Sequence, residues 1–158
     1  MKPLIGSYDV KLDAKMRLSL PMPFRLAMKV QPTSEIMLTI GADGCIVLGD
    51  LETFGADYLS KIQRLDWTRG EDRALLRDMA PHTFRVRLDS QGRITIPQAL
   101  QQWAGLKAGD AARAQGMGCY IELWEVRRLE GLPGRGKSYE DRLERLLGQR
   151  APEGPSQG

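Results

Sequence analysis

Histidine occurs once in this chain of 158 residues, at His82, and cysteine twice, at Cys45 and Cys119. That scarcity removes most of the side chains from which a reactive centre is built. Neither cysteine stands in a CxxC or Cys/His spacing, so no metal or redox site is expected. Both lie in apolar, strand-like surroundings and are expected to be buried free thiols. His82 follows Pro81 without a Ser and an Asp arranged around it, so a loop or strand-edge position is expected. Carboxylates gather as Asp43, Asp50 and Glu52, and as Glu71 and Asp72, in turn and helix-cap contexts. Gly41 to Gly44 and Gly116 to Gly118 are too short for a phosphate cradle and read as turns. An enzyme, a cofactor and a small-molecule substrate are therefore not expected. No apolar run approaches the roughly 18 residues that span a bilayer, and the first residues lack the apolar block and cleavage site of a signal peptide. The expectation is a cytoplasmic protein without a membrane partner.

With 42% hydrophobic residues the chain can bury one core, or two small fused ones. Its net charge of +3 says little, but its distribution says more. Residues 8–30 carry five Lys or Arg against two Asp, residues 84–107 four against one, and residues 50–80 five against seven acids. The positive charge sits in two separate segments, and those segments are copies of each other. A shift of 76 residues aligns Tyr8–Pro21 with Phe84–Pro97, with five of fourteen pairs identical: Val10/Val86, Leu12/Leu88, Asp13/Asp89, Arg17/Arg93 and Pro21/Pro97.

The same order of signals follows in each half. Tyr8, Val10 and Leu12, like Phe84, Val86 and Leu88, alternate with polar residues and predict a strand with one buried face. Leu18 and Leu20, like Ile94 and Ile96, predict a second strand joined to the first as a hairpin-like pair. Proline then opens a short helix, expected at 23–29 in one half and at 98–104 in the other, where Gly105 stops it. Each half closes with a glycine turn and a last strand. Between the halves, Leu51, Phe54, Tyr58, Leu59, Ile62 and Leu65 follow helical spacing, and Leu75, Leu76 and Met79 mark a second helix; both are expected to pack on the sheets. The expected class is mainly β with α (α+β), arranged as a first repeat at 5–50, linking helices at 51–80, a second repeat at 81–130, and a linker with a disordered tail at 131–158. Tyr139 to Leu147 is expected to form one or two amphipathic helical turns within that last part.

The shared core is Leu-Asp-x-x-x-Arg-x-x-x-Pro. In a tight loop, the carboxylate of Asp13 or Asp89 can accept backbone N–H bonds or pair with the Arg four residues on, and so organise the loop. Lys15 and Arg17 in the first copy, and Gln91 and Arg93 in the second, are the types that contact phosphate or base edges. Lys11 and Arg87 extend the basic surface from the preceding strand. An Asp–Arg pair in a single hairpin is more often a surface salt bridge worth about 0–1 kcal/mol. The recurrence of the flanking cations favours a double-stranded DNA partner.

The segments Gly6-Ser-Tyr8, Leu12–Pro21, Leu38–Cys45, Leu88–Pro97, Ala104–Leu106 and Ile121–Trp124 together resemble the MraZ family, within the wider group of AbrB and MazE regulators. The resemblance implies a pseudo-dimeric swapped-hairpin barrel in one chain and assembly of chains into a ring-shaped homo-oligomer. It also implies a nucleoid-associated repressor of its own division and cell-wall gene cluster, binding repeated promoter elements through Asp13, Arg17, Asp89 and Arg93. Two departures stand out. Met16 occupies the position where the second loop has Gly92, so a different shape is expected for the first loop. Ala111 to Ala114 is less apolar than the family's usual strand, so weaker burial or pairing is expected there. Two alternatives remain: an AbrB-type regulator or antitoxin with another target, and a ring-forming interaction protein whose DNA binding has weakened.

Overall fold

The computed structural model describes residues 2–133 and 139–149. The first half runs β1 (Ser7–Lys11), β2 (Arg17–Ser19), α1 (Met22–Met28), β3 (Glu35–Ile40) and β4 (Ile46–Asp50). A π-helical turn at Leu51–Gly55 leads into α2 (Ala56–Ile62), and α3 (Gly70–Met79) follows. The second half repeats the first: β5 (Phe84–Arg87), β6 (Arg93–Thr95), α4 (Gln98–Ala104), β7 (Ala111–Gly116) and β8 (Ile121–Glu125). Two further helices, α5 (Val126–Glu130) and α6 (Tyr139–Gln149), complete the described chain. The expected linker lies partly, and the expected tail beyond 149 wholly, outside the described residues.

Local chemistry sets the element ends. Pro21 and Pro97 cap α1 and α4 with extended backbone, at ψ 134° and 145°, so each helix starts one residue later. α4 stops at Gly105, which turns into the left-handed region at φ 66°. α1 stops in the same way at Lys29, at φ 57°, although a side chain makes that conformation costly. Asp50 accepts the Thr53 N–H at the start of the π turn, and Glu125 accepts the N–H groups of Arg127 and Arg128 at the start of α5.

Strand pairing departs from the expected local hairpins. β1 does not pair with β2; it pairs antiparallel with β7 of the other half, Tyr8 facing Ala114. The equivalent pair joins β5 to β3, Phe84 facing Leu38. The large sheet is thus ordered β1-β7-β8-β4-β3-β5, and β2 pairs with β6 in a separate ribbon. In that ribbon Leu18 faces Ile94, with Arg17 opposite Thr95 and Ser19 opposite Arg93. Those two outer pairs exchange under the 76-residue shift, so a pseudo-twofold axis passes through the Leu18–Ile94 pair. The two halves are exchanged into each other, as the resemblance implies, but the six-stranded sheet ends at β1 and β5 and does not close into a hydrogen-bonded barrel. The remaining side is closed by packing, because β2 and β6 bury Leu18 and Ile94 in the same core as Leu12 and Leu88. Each such aliphatic side chain contributes about 1.5–3 kcal/mol relative to exposure.

The weaker strand expected at Ala111 to Ala114 is not found. β7 pairs along both edges, with β1 and β8, and Ala112 and Ala114 are fully buried in the common core. The linking helices pack less than expected. Phe54 stacks on Tyr120 at 5.8 Å, and the Tyr58 hydroxyl lies 3.2 Å from Thr83 Oγ1, but α2 and α3 bury no residue. Leu59, Trp67 and Leu75 stay exposed.

The cysteines also differ. Cys45 is buried, whereas Cys119 is exposed, against expectation. The 76-residue shift matches Cys45 with Ile121, the first residue of β8, and Cys119 falls two residues earlier, in a bend. Cys45 packs against Trp124 and Leu129, and Trp103 Nε1–H donates to the Cys45 carbonyl at 2.9 Å; Ala27 stands at the Trp103 position in the first half.

Candidate nucleic-acid interface

Both Asp-x-x-x-Arg segments form the same closed loop at the start of the β2–β6 ribbon. In the first, Asp13 Oδ1 accepts the N–H groups of Lys15 and Arg17, each at 2.9 Å, and Oδ2 accepts Arg17 Nε–H at 2.8 Å. In the second, Asp89 Oδ1 accepts the N–H groups of Gln91 and Arg93 at 2.9 Å, and Oδ2 accepts Arg93 Nε–H at 2.7 Å. Backbone bonds close each loop: Asp13 N–H to the Arg17 carbonyl and Met16 N–H to the Asp13 carbonyl, at 2.9 and 3.0 Å, with the same pair at Asp89, Arg93 and Gly92. Each Asp thus organises its loop, as the motif predicts. Both carboxyls are held below the ordinary aspartate value, first by the backbone N–H of the Arg and then by its side chain, with partial desolvation opposing.

The expected difference in shape at Met16 is absent. Met16 adopts φ 59° beside 74° at Gly92, and the carbonyls of both accept the equivalent cross-ribbon bond, from Ile96 and from Leu20. The bonds around Asp13 over-determine the loop, and the left-handed cost at Met16, about 1–2 kcal/mol, is absorbed by them. The Met16 side chain is half-buried against the core.

The structure brings the predicted residues together at the two ends of one ribbon, related by the pseudo-twofold axis. Lys11, Lys15 and Gln91 are exposed. Arg17 and Arg93 are about 29% and 27% exposed, with Nε turned inward to the Asp, so the η nitrogens are the part left to face a partner. Arg87 is exposed but lies 3.4 Å from Glu35 across the β5–β3 pair; Ala111 stands at the matching position opposite Lys11. The outward cations therefore differ, one carrying a carboxylate neighbour and the other facing alanine.

Sequence reasoning missed Arg25. It projects from α1 of the first half over the loop of the second, where a Cβ placed on Gly92 would collide with its guanidinium. Its Nε is shut from solvent without a hydrogen-bond partner. The 76-residue shift pairs Arg25 with Gln101 and Gly92 with Met16, which is the one sequence signal of this contact. Nothing local in the sequence says that α1 reaches the other half's loop.

No helix of the described residues is long and apolar enough to cross a membrane, and no cluster of metal-ligating side chains occurs among them.

The chain matches the family described as "MraZ protein, putative antitoxin-like" over residues 4–78 and again over 79–131. It is 31% identical to the transcriptional regulator MraZ of Acetivibrio thermocellus, over 82% of this chain and 85% of that one. The protein of the same name from Thermus thermophilus is 32% identical, covering 78% of this chain and 82% of its own. That from Mycoplasmopsis synoviae is 36% identical, covering 82% and 86%. Among solved structures, the likeness to one from Pyrococcus horikoshii is weak, with a TM-score of 0.35 at 15% identity over 74% of this chain and 94% of that one.

Proposed function

The chain belongs to the MraZ family, and on that premise we propose that it is a transcriptional regulator that binds double-stranded promoter DNA through its two Asp-x-x-x-Arg loops. The observation that carries this reading is the duplicated loop geometry, in which Arg17 and Arg93 are held in one orientation by Asp13 and Asp89 at both ends of the ribbon. Rigid cations of that kind grip phosphates or guanine edges with little entropy left to lose. Lys15 and Gln91 at the loop tips, and Lys11 and Arg87 on the flanking strands, widen the contact.

The target proposed is a set of short repeated elements upstream of the chain's own division and cell-wall gene cluster, with repression as the result, in the cytoplasm at the nucleoid. Chains engage those elements as a ring-shaped homo-oligomer. Exposed Leu59, Trp67 and Leu75 are the kind of side chains an assembly covers, and several loops acting together raise avidity without new contacts. The retained geometry of the Met16 loop argues against a weakened binder.

Footprinting of the DNA upstream of the gene tests binding and element spacing together. Protected, evenly spaced elements are expected, lost when Arg17→Ala and Arg93→Ala are combined. Unchanged promoter affinity in that double variant overturns the loop assignment, and a monomer in sedimentation that still binds cooperatively overturns the ring.

A further inference from the structure

We infer that Arg25 is a phosphate-gripping cation that serves the loop of the opposite half, and that the first loop has no counterpart, so that one subunit holds the DNA backbone unequally at its two ends. The inference rests on the DNA-binding reading above.

Three observations lead to it. The first is place: Gly92 has no side chain, and the Arg25 guanidinium lies in the space a Cβ would take, beside the residue that precedes Arg93. The second is an unmet charge. Arg17, Arg93 and Arg87 each face a carboxylate, whereas no ion pair to Arg25 is seen among the described residues, and its Nε is buried without a partner. A half-buried guanidinium lacking both counter-charge and a full set of acceptors is costly unless an anion completes it. Its planar fork suits a phosphate, which accepts two parallel N–H bonds.

The third observation is the exchange at the other end. Gln101 takes the position of Arg25, carries no charge, and turns its amide inward, Nε2–H donating to the Ile96 carbonyl at 2.7 Å. Met16 stands at the position of Gly92 in the same left-handed conformation, with its side chain packed against the core. Glycine with arginine at one loop is matched by methionine with glutamine at the other. The exchange supplies a cation to the second loop and an apolar side chain to the first.

The test is the salt dependence of binding to two labelled duplexes of equal length, one from the region upstream of the gene and one scrambled. A lost phosphate contact reduces the slope of log affinity against log salt by about 0.9 per engaged subunit, or about 3.5-fold in affinity between about 50 and about 200 mM salt. Arg25→Gln is expected to show that shallower slope and to weaken both duplexes by the same factor. An unchanged slope, or weakening confined to the upstream duplex, overturns the proposal. If the parent protein binds neither duplex, the DNA-binding reading itself falls and takes this inference with it; binding by the parent with an unchanged Arg25→Gln slope removes the inference alone. Should Arg25→Gln fail to fold by circular dichroism, the gain variant Met16→Gly with Gln101→Arg decides. It is expected to bind both duplexes more tightly with a slope steeper by a similar amount, and an unchanged slope overturns the proposal.

Discussion

The two halves share the hydrogen bonds that shape their loops but not their glycines. At three positions the backbone enters the left-handed region in both halves, and each time the second half uses glycine where the first uses a side chain: Gly92 against Met16, Gly105 against Lys29, and Gly109 against Thr33. The surrounding bonds match pair by pair, as when Thr33 N–H donates to the Leu88 carbonyl and Gly109 N–H to that of Leu12. The duplicated backbone is therefore dictated by the architecture rather than by local preference. The first half keeps its shape against a resistance of about 1–2 kcal/mol at each such position.

The largest difference between the two halves is expected in thiol chemistry. Burial, with the Glu122 charge second, pushes the Cys45 thiol up to about 12, whereas Cys119 is exposed. A thiol-specific reagent at neutral pH should modify Cys119 alone until denaturant is added, with mass spectrometry locating the label; prior reaction at Cys45 would show that the packing of Trp124 and Leu129 around it opens in the native state.

Next in size is conversion of one loop into the other. Gly92→Met should cost about 2 kcal/mol in urea unfolding, part from the left-handed backbone and part from displacing Arg25. Adding Arg25→Gln should return the steric part. An equal loss in the single and double variants would mean that the loop ignores what lies above it.

Smaller still is the exchange of helix ends. Lys29→Gly should stabilise by about 0.5–1 kcal/mol, and Gly105→Ala should destabilise by about 1 kcal/mol, since the same cap is read in opposite directions. The same sign for both substitutions would break the equivalence of the halves.

Acid should affect the two loops alike. Because the folded loops bind the carboxylates of Asp13 and Asp89 and lower their pKa, this stabilisation is complete above the unfolded value, about 3.9, and is lost as pH falls through the lower folded values. Carboxyl titrations followed by NMR should therefore give midpoints below about 3.9 at both positions. A normal midpoint at Asp13 alone would show that Met16 loosens its loop in solution.

The repeat, the strands and the Asp-centred loops were legible because they rest on residue type and short spacing. Alternation in Tyr8–Leu12 names a strand, and an Asp two and four residues before its N–H donors names a loop. Partner choice was not legible. β1 and β2 follow each other across a short loop and read as a local pair, whereas β1 bonds to β7 of the other half, which no short-range signal in the sequence names. The Arg25 contact depends on that choice and was hidden with it. Cys119 was misplaced because it stands two residues ahead of β8 rather than within it, where strand alternation assigns no buried face.

Cross-half pairing also bears on how such a chain can change. Were the halves identical partners from one gene, any substitution at Gly92 or Arg25 would fall on both ends at once. Joined in one chain, each position is a separate address, and one end can acquire a cation while the other acquires a methionine. Because β1 and β5 are each paired into the opposite half, neither half can drift away from its neighbour while doing so. The fusion lets the two ends diverge in chemistry while binding them to a common backbone.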